Sequence, residues 1–169
     1  MKKFFMSAIV FTLLISLLLP MVAFAADDGQ PEEWQDISLT EQEIEDILAL
    51  NPNNDISTYA SDLISAYYIG VSKSGTTLII VGKTYGIPEV VKCGFKEVVI
   101  QRRKTINDSW STYTKYTDLI IENSNYTISK SITVPTGYQY RVTCVHYAKK
   151  SLLSTQKISN ISNFVTISG

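Results

Sequence analysis

Cys144 and His146 are the side chains most suited to covalent chemistry. They stand two residues apart, so on a β-strand they share a face. A thiolate with a histidine base would make a small secreted hydrolase or redox protein. Such a thiolate needs a helix N-terminus or a cation beside it, and a mid-strand position offers neither. His146 is the only histidine, and its strand parity favours a structural role near the rim of a core. Glu97 and Glu122 are the candidate acid–base pair, but nothing in the sequence sets their separation. Two cysteines and one histidine fall one ligand short of a closed zinc site. Asn51, Asn53, Asp55 and Asp62 half-mimic a calcium loop, with Ile56 where glycine is needed and Pro52 at the second position. No metal and no cofactor are expected, and binding is favoured over catalysis.

Cys93 and Cys144 have a second use, a disulfide. A loop of about fifty residues would contribute about 4 kcal/mol on the chain-entropy model. Strand parity is mixed: Val98 and Ile100 suggest one inner face, and Cys93 falls on the other unless Gly94 marks a bulge. The alternative is a pair of free, half-buried thiols.

The segment from Trp110 to Tyr116 suits recognition. Simple alternation puts Trp110, Thr112, Thr114 and Tyr116 on one face, with Ser111, Tyr113 and Lys115 on the other. Aromatic ends around hydroxyls can stack on sugar rings or pair with an extended peptide. The plainer alternative is an edge strand with one half packed on the core. Arg102-Arg103-Lys104 adds a basic cluster at a turn. The candidate binding residues are therefore Trp110, Tyr113, Tyr116, Arg102, Arg103 and Arg141. Asn107, Asn125 and Asn160 begin glycosylation sequons.

Before these residues comes an export signal. Lys2 and Lys3 precede an apolar run from Phe4 to Leu19, then Pro20, then Ala23-Phe24-Ala25, which predicts cleavage between Ala25 and Ala26. An uncleaved anchor is the rival reading, but the run is short for a span of about 20 residues. The expected location is secreted and extracellular, which makes nucleic acid an improbable partner and leaves no membrane partner after cleavage.

Residues 26–62 contain eleven acidic residues and no basic ones, whereas residues 63–169 contain thirteen basic and five acidic. The overall formal charge of −1 averages two unlike parts. Residues 26–62 read as an acidic leader with one short helix. Ser38-Leu-Thr-Glu41 and Thr40-Glu-Gln-Glu43 each fit a capping box, Ile44, Ile47 and Leu48 form an apolar stripe, and Asn51-Pro52-Asn53-Asn54 stops the helix.

From about Ser65 the pattern changes to short β runs: 66–72, 77–81, 90–102, 110–121, 126–134, 138–148 and 163–167. Tyr126, Ile128, Ile132 and Val134 alternate with polar residues, Lys130 being the one break. The runs are close together and no helix connects them, so antiparallel pairing is expected. Residues 63–169 should form an all-β, antiparallel immunoglobulin-like β-sandwich of six to seven strands. Apolar residues make up 45% of the chain and cysteines number two, which excludes disorder over most of it and a disulfide-dense miniprotein.

The stretch Ile132–Ala148, with Pro135, Gly137, Tyr140 and Val142, resembles the fifth and sixth strands of immunoglobulin-like and fibronectin type III sandwiches. Tyr140 is one residue off the fibronectin spacing and lies four, not two, before Cys144. Gly82-Lys-Thr84, Ile100-Gln-Arg-Arg-Lys104 with Trp110, and Gly137-Tyr-Gln-Tyr-Arg-Val142 are similar to motifs of an uncharacterised family of small exported Gram-positive bacterial proteins. That resemblance implies a fold and brings no activity.

The sequence thus points to a secreted binding or interaction module. Cell-wall polymer or glycan is the first ligand class, and another extracellular protein is a further partner class. A third reading has the acidic leader shielding the basic domain, like a propeptide, until it is removed.

Overall fold

A computed structural model describes residues 33–52 and 63–169. The export signal, the Ala25–Ala26 cut, and Asn53, Asp55 and Asp62 lie outside the described residues. Nine elements follow in order: β1 (Gln35–Asp36), α1 (Glu41–Ala49), β2 (Ile64–Ser74), β3 (Thr77–Gly86), β4 (Lys92–Arg103), β5 (Ser111–Ile121), β6 (Asn125–Thr133), β7 (Tyr138–Ser151) and β8 (Ser154–Ile167).

One sheet runs β1-β6-β3-β2 and the other β5-β4-β7-β8, with every pairing antiparallel. Non-consecutive neighbours, β3 with β6 and β4 with β7, make this an immunoglobulin-like Greek-key sandwich. Between the sheets lie Ile69, Val71, Leu78, Ile80, Phe95, Val98, Ile100, Ile128, Ile132 and Val142, all buried. At the start of β7, buried Tyr140 donates its hydroxyl to the Pro135 carbonyl at 2.8 Å. This ties the entry of the strand to its preceding turn, as the tyrosine corner of such sandwiches does, despite the unusual spacing.

Of the five register shifts among the described strands, three bear on which side chains reach the site or the core. A register shift between Phe95 and Glu97 gives β4 an extra residue at Lys96. Cys93 and Phe95 therefore face the core together with Val98 and Ile100. Gly94 is not that bulge, but it is required. Its φ is +150°, and a Cβ there would sit 2.1 Å from the Leu119 carbonyl oxygen. On β5, a shift opposite Ile100–Gln101 leaves Tyr113 as the extra residue. Tyr113 then packs edge-on against Tyr140, and Tyr116 lies opposite core residue Val98. The third shift gives β8 an extra residue at Ser162–Asn163, opposite Val142.

The leader is part of this fold. Thr40 caps α1 with the reciprocal Glu43 bond of a capping box. Ile44, Ile47 and Leu48 pack on Val81, Ile79 and Tyr68 of the β2–β3 outer face. Gly70 lets the helix come this close, since a Cβ there would sit 2.8 Å from the Ile47 carbonyl oxygen. Past the helix, the Asn51 amide donates to the carbonyls of Ile69 (2.7 Å) and Ile161 (3.0 Å), clasping β2 to β8. Asn163 continues that seam, bonding both the N–H (3.0 Å) and the C=O (2.8 Å) of Val71. Asn51 is thus a clamp between the sheets, and its donor atoms are spent on backbone. Lys130, the polar break in β6, bonds Asp36 at 2.6 Å and lies 5.3 Å from the Trp34 ring centre.

Candidate functional site

Strand register brings Arg103, at the end of β4, diagonally close to Arg141 on β7. Arg103 pairs with Gln139, and Arg141 pairs with Gln101. Both arginines occupy the outward face of the β5-β4-β7-β8 sheet, and Trp110, just before β5, lies over them. The Arg103 and Arg141 guanidinium carbons are 4.3 and 4.4 Å from the Trp110 ring centre. Phe164, 48% exposed, is 6.4 Å from Trp110 and 5.5 Å from Arg103. Such contacts orient a guanidinium without neutralising it.

Hydrogen bonds hold the arginines by only part of their donor sets. Arg103 Nε donates to Gln139 at 2.8 Å and Nη1 to the Ile106 carbonyl at 3.1 Å. Arg141 Nε donates to Gln101 at 2.8 Å. Neither has a carboxylate partner among the described residues. Burial, and then the neighbouring Arg103 charge, lower the pKa of Arg141 from its ordinary value. Both causes disfavour the cation, and an incoming anion would offset both.

These residues line an open cleft of about 990 Å³. The bulged strand β8 supplies its floor from Ser159 to Val165, and Leu50 and Pro52 at the end of α1 form the opposite wall. Leu50 and Ile161 present exposed apolar surface there. The arrangement offers two partly free guanidinium forks, two aromatic rings and an apolar lip. It can hold an extended anionic or carbohydrate ligand.

Three of the six sequence-predicted binding residues, Arg103, Trp110 and Arg141, meet in this cleft. The other three go elsewhere. Arg102 points inward at the end of the sandwich, 5.1 Å from the ring centre of Tyr113 and 4.7 Å from that of Tyr138. Tyr116 stacks flat on Trp34 of the leader at 3.7 Å. The expected shared face of Trp110 and Tyr116 fails because the bulge at Tyr113 reverses parity between them. Phe164, Ile161 and Leu50 were not picked out from the sequence. An apolar residue at an outward strand position was the signal for Phe164.

The covalent candidates are sealed. His146 is fully buried, with Nδ1 2.8 Å from Thr84 Oγ1 and Nε2 3.3 Å from Cys144 Sγ. The Thr84 hydroxyl donates to the Gly94 carbonyl at 3.2 Å, so it is assigned as acceptor from His146 Nδ1–H, leaving Nε2 to accept the Cys144 thiol. Burial pushes His146 down to about 3 and keeps it neutral. Burial also raises the Cys144 pKa strongly, and that of Cys93 to about 11. With protonated thiols and rings of Phe95 and Tyr67 around the imidazole, this is a satisfied hydrogen-bond chain inside the core, not at its rim.

The disulfide is not formed: both cysteines are free and buried. Cys93 pairs with Ala148 while Cys144 pairs with Val98. The cysteines therefore lie four positions apart along β7, roughly 13 Å, beyond the reach of about 7 Å that a bridge allows.

Glu97 on β4 pairs with Thr117, five positions before Glu122 just past β5, and the two glutamates bind Lys115 (2.5 Å) and Lys92 (2.7 Å). Among the described residues no His/Cys/Asp/Glu cluster could hold a metal. Of the sequons, Asn107 and Asn125 are exposed, whereas Asn160 is buried.

The fold and cleft define an immunoglobulin-like β-sandwich with a cationic, aromatic groove on one outer face. No family model, curated protein or solved structure matches the chain.

Proposed function

We propose that this is a secreted, extracellular binding module whose cleft holds an anionic polymer, cell-wall polymer or acidic glycan being the first class to test. One observation carries the reading: Arg103 and Arg141 converge on Trp110 in an open cleft, and neither forms an ion pair with a carboxylate among the described residues. Charge-assisted bonds from guanidinium to phosphate or carboxylate give about 1.5–3 kcal/mol each. The export signal read from residues 1–25 supports this, since a secreted module would meet such polymers.

The decisive measurement is a binding screen of the chain from Ala26, which keeps every described residue, against anionic wall polymer and paired acidic and neutral glycans. Arg103→Ala/Arg141→Ala should cost about 100-fold in affinity, the equivalent of about 2.7 kcal/mol. Raised salt should weaken what remains. Binding that ignores both the variant and salt would move the ligand away from this cleft, and no binding to any polymer would end the reading.

The shielding role of the leader has less support than an integral one. Three of its described acids, Glu41, Glu45 and Asp36, engage Lys83 and Lys130, and none of its described acids pairs with a cleft arginine. Deleting residues 26–62 should destabilise the sandwich rather than strengthen polymer binding.

A further inference from the structure

The β7–β8 hairpin ends in a two-residue turn, Leu152-Leu153, between paired Ser151 and Ser154. Leu152 is 87% exposed and Leu153 fully exposed. Two-residue hairpin turns favour Gly, Asn or Asp, and leucine brings none of that turn chemistry. Neither residue adopts a positive φ, and neither packs on the core. These strands are the longest in the molecule, 14 residues each, and project past the end of β4, whose first residue Lys92 pairs with Lys149.

Cations surround the tip. Lys149, Lys150 and Lys157 have no carboxylate partner among the described residues. Lys92 is held by Glu122, and among the described residues Glu89 is the other acid in the adjoining segments. Val91, 53% exposed, adds apolar surface beside Lys149, to whose carbonyl its N–H donates at 2.9 Å. An apolar point on a hairpin that carries three lysines with no described carboxylate partner is complementary to an anionic lipid surface, with leucines entering the acyl boundary and ammonium groups meeting headgroups.

We infer that the Leu152–Leu153 hairpin tip inserts into an anionic lipid surface. The sequence reading assigned no membrane partner after signal cleavage; the exposed tip gives it one. Arg141 lies eleven residues from Leu152 along β7, roughly 35 Å, so a lipid-bound tip would hold the cleft arginines clear of the bilayer. This inference does not depend on the cleft's ligand.

Vesicle sedimentation tests it, using the chain from Ala26 and phosphatidylglycerol or phosphatidylcholine vesicles. The protein should sediment with phosphatidylglycerol and at least tenfold more weakly with phosphatidylcholine. Leu152→Ser/Leu153→Ser should lower partitioning at least tenfold with unchanged thermal unfolding. Lys149→Gln/Lys150→Gln/Lys157→Gln should remove most of the salt-sensitive part. Arg103→Ala/Arg141→Ala should leave vesicle binding intact, which separates the tip from the cleft. Fluorescence of Leu152→Trp should shift blue on adding phosphatidylglycerol. The inference falls if no vesicles are bound, or if the leucine variant binds as well as the parent. It also falls if the arginine variant alone loses binding, or if the leucines instead hold two copies together in sedimentation velocity without lipid affinity.

Discussion

Lys83 on the outer face of β3 and Arg103 on the outer face of β4 are both outward strand cations, yet only Lys83 is neutralised. Its side chain is 3% exposed beneath α1, bonded to Glu41 and, at 2.6 Å, to Glu45. Those glutamates are one helical turn apart, so a helix docked through Ile44, Ile47 and Leu48 presents both to a single ammonium. Across the sandwich no described carboxylate pairs with Arg103 or Arg141, and polar glutamines and an indole orient them instead. A paired cation under a helix fixes how two layers dock; unpaired cations held in place on a bare sheet form a recognition surface.

Substitution should separate the two faces. The largest effect is expected for Leu48→Ala, which opens a cavity between α1 and β3 and should cost about 2–5 kcal/mol in thermal or urea unfolding. Trp110→Ala on the other face should cost less than about 1.5 kcal/mol. If Leu48→Ala proves as mild, α1 is not a structural layer and the contrast fails.

Next comes Arg103→Ala/Arg141→Ala. Its roughly 100-fold loss in polymer affinity should come with no loss of stability, because Arg141 is held beside a like charge. A large fall in melting temperature would mean that the arginines are structural.

Acid sharpens the comparison from the other side. Lys83 holds the Glu41 carboxyl below its usual range. A depressed folded pKa contributes stability above the unfolded value and loses it as pH falls through the folded one. The α1 face should therefore weaken below about pH 4.5, the usual glutamate value, where Glu43 of the capping box, also lowered, adds to the loss. Lys83→Met should flatten that part of the stability–pH profile. An unchanged profile would remove the ion pair from the account.

The smallest expected effect is none at all. Native protein at pH 8 should resist thiol alkylation, and both cysteines should label only after unfolding, because Cys93 is raised to about 11 and Cys144 is buried. Rapid native labelling would reopen the Cys144–His146 pair.

What could be read from the chain depended on how local the signal was. The capping box at Thr40 and the stripe Ile44-Ile47-Leu48 describe α1 within one turn of where it lies. Strand β8 shows the opposite. Only 163–167 was expected, yet it begins at Ser154, because Leu152-Leu153 carries no turn chemistry to mark the hairpin. The shared face expected for Trp110 and Tyr116 failed, and the face of Cys93 stayed open until its bulge was located at Lys96, because each bulge shifts the period of two by one residue.

The sequence by itself determined the all-β class, the capped acidic helix and the separation of acidic leader from basic domain, since each rests on neighbours within a few residues. Tertiary structure decided which cations stay charged and open. Residues 26–62 carry acid enough to neutralise either face, and only the docking of α1 on β2–β3 commits Glu41 and Glu45 to Lys83. The register of β4 with β7, set across 38 residues from Arg103 to Arg141, brings those two arginines together with no ion-pair partner among the described residues.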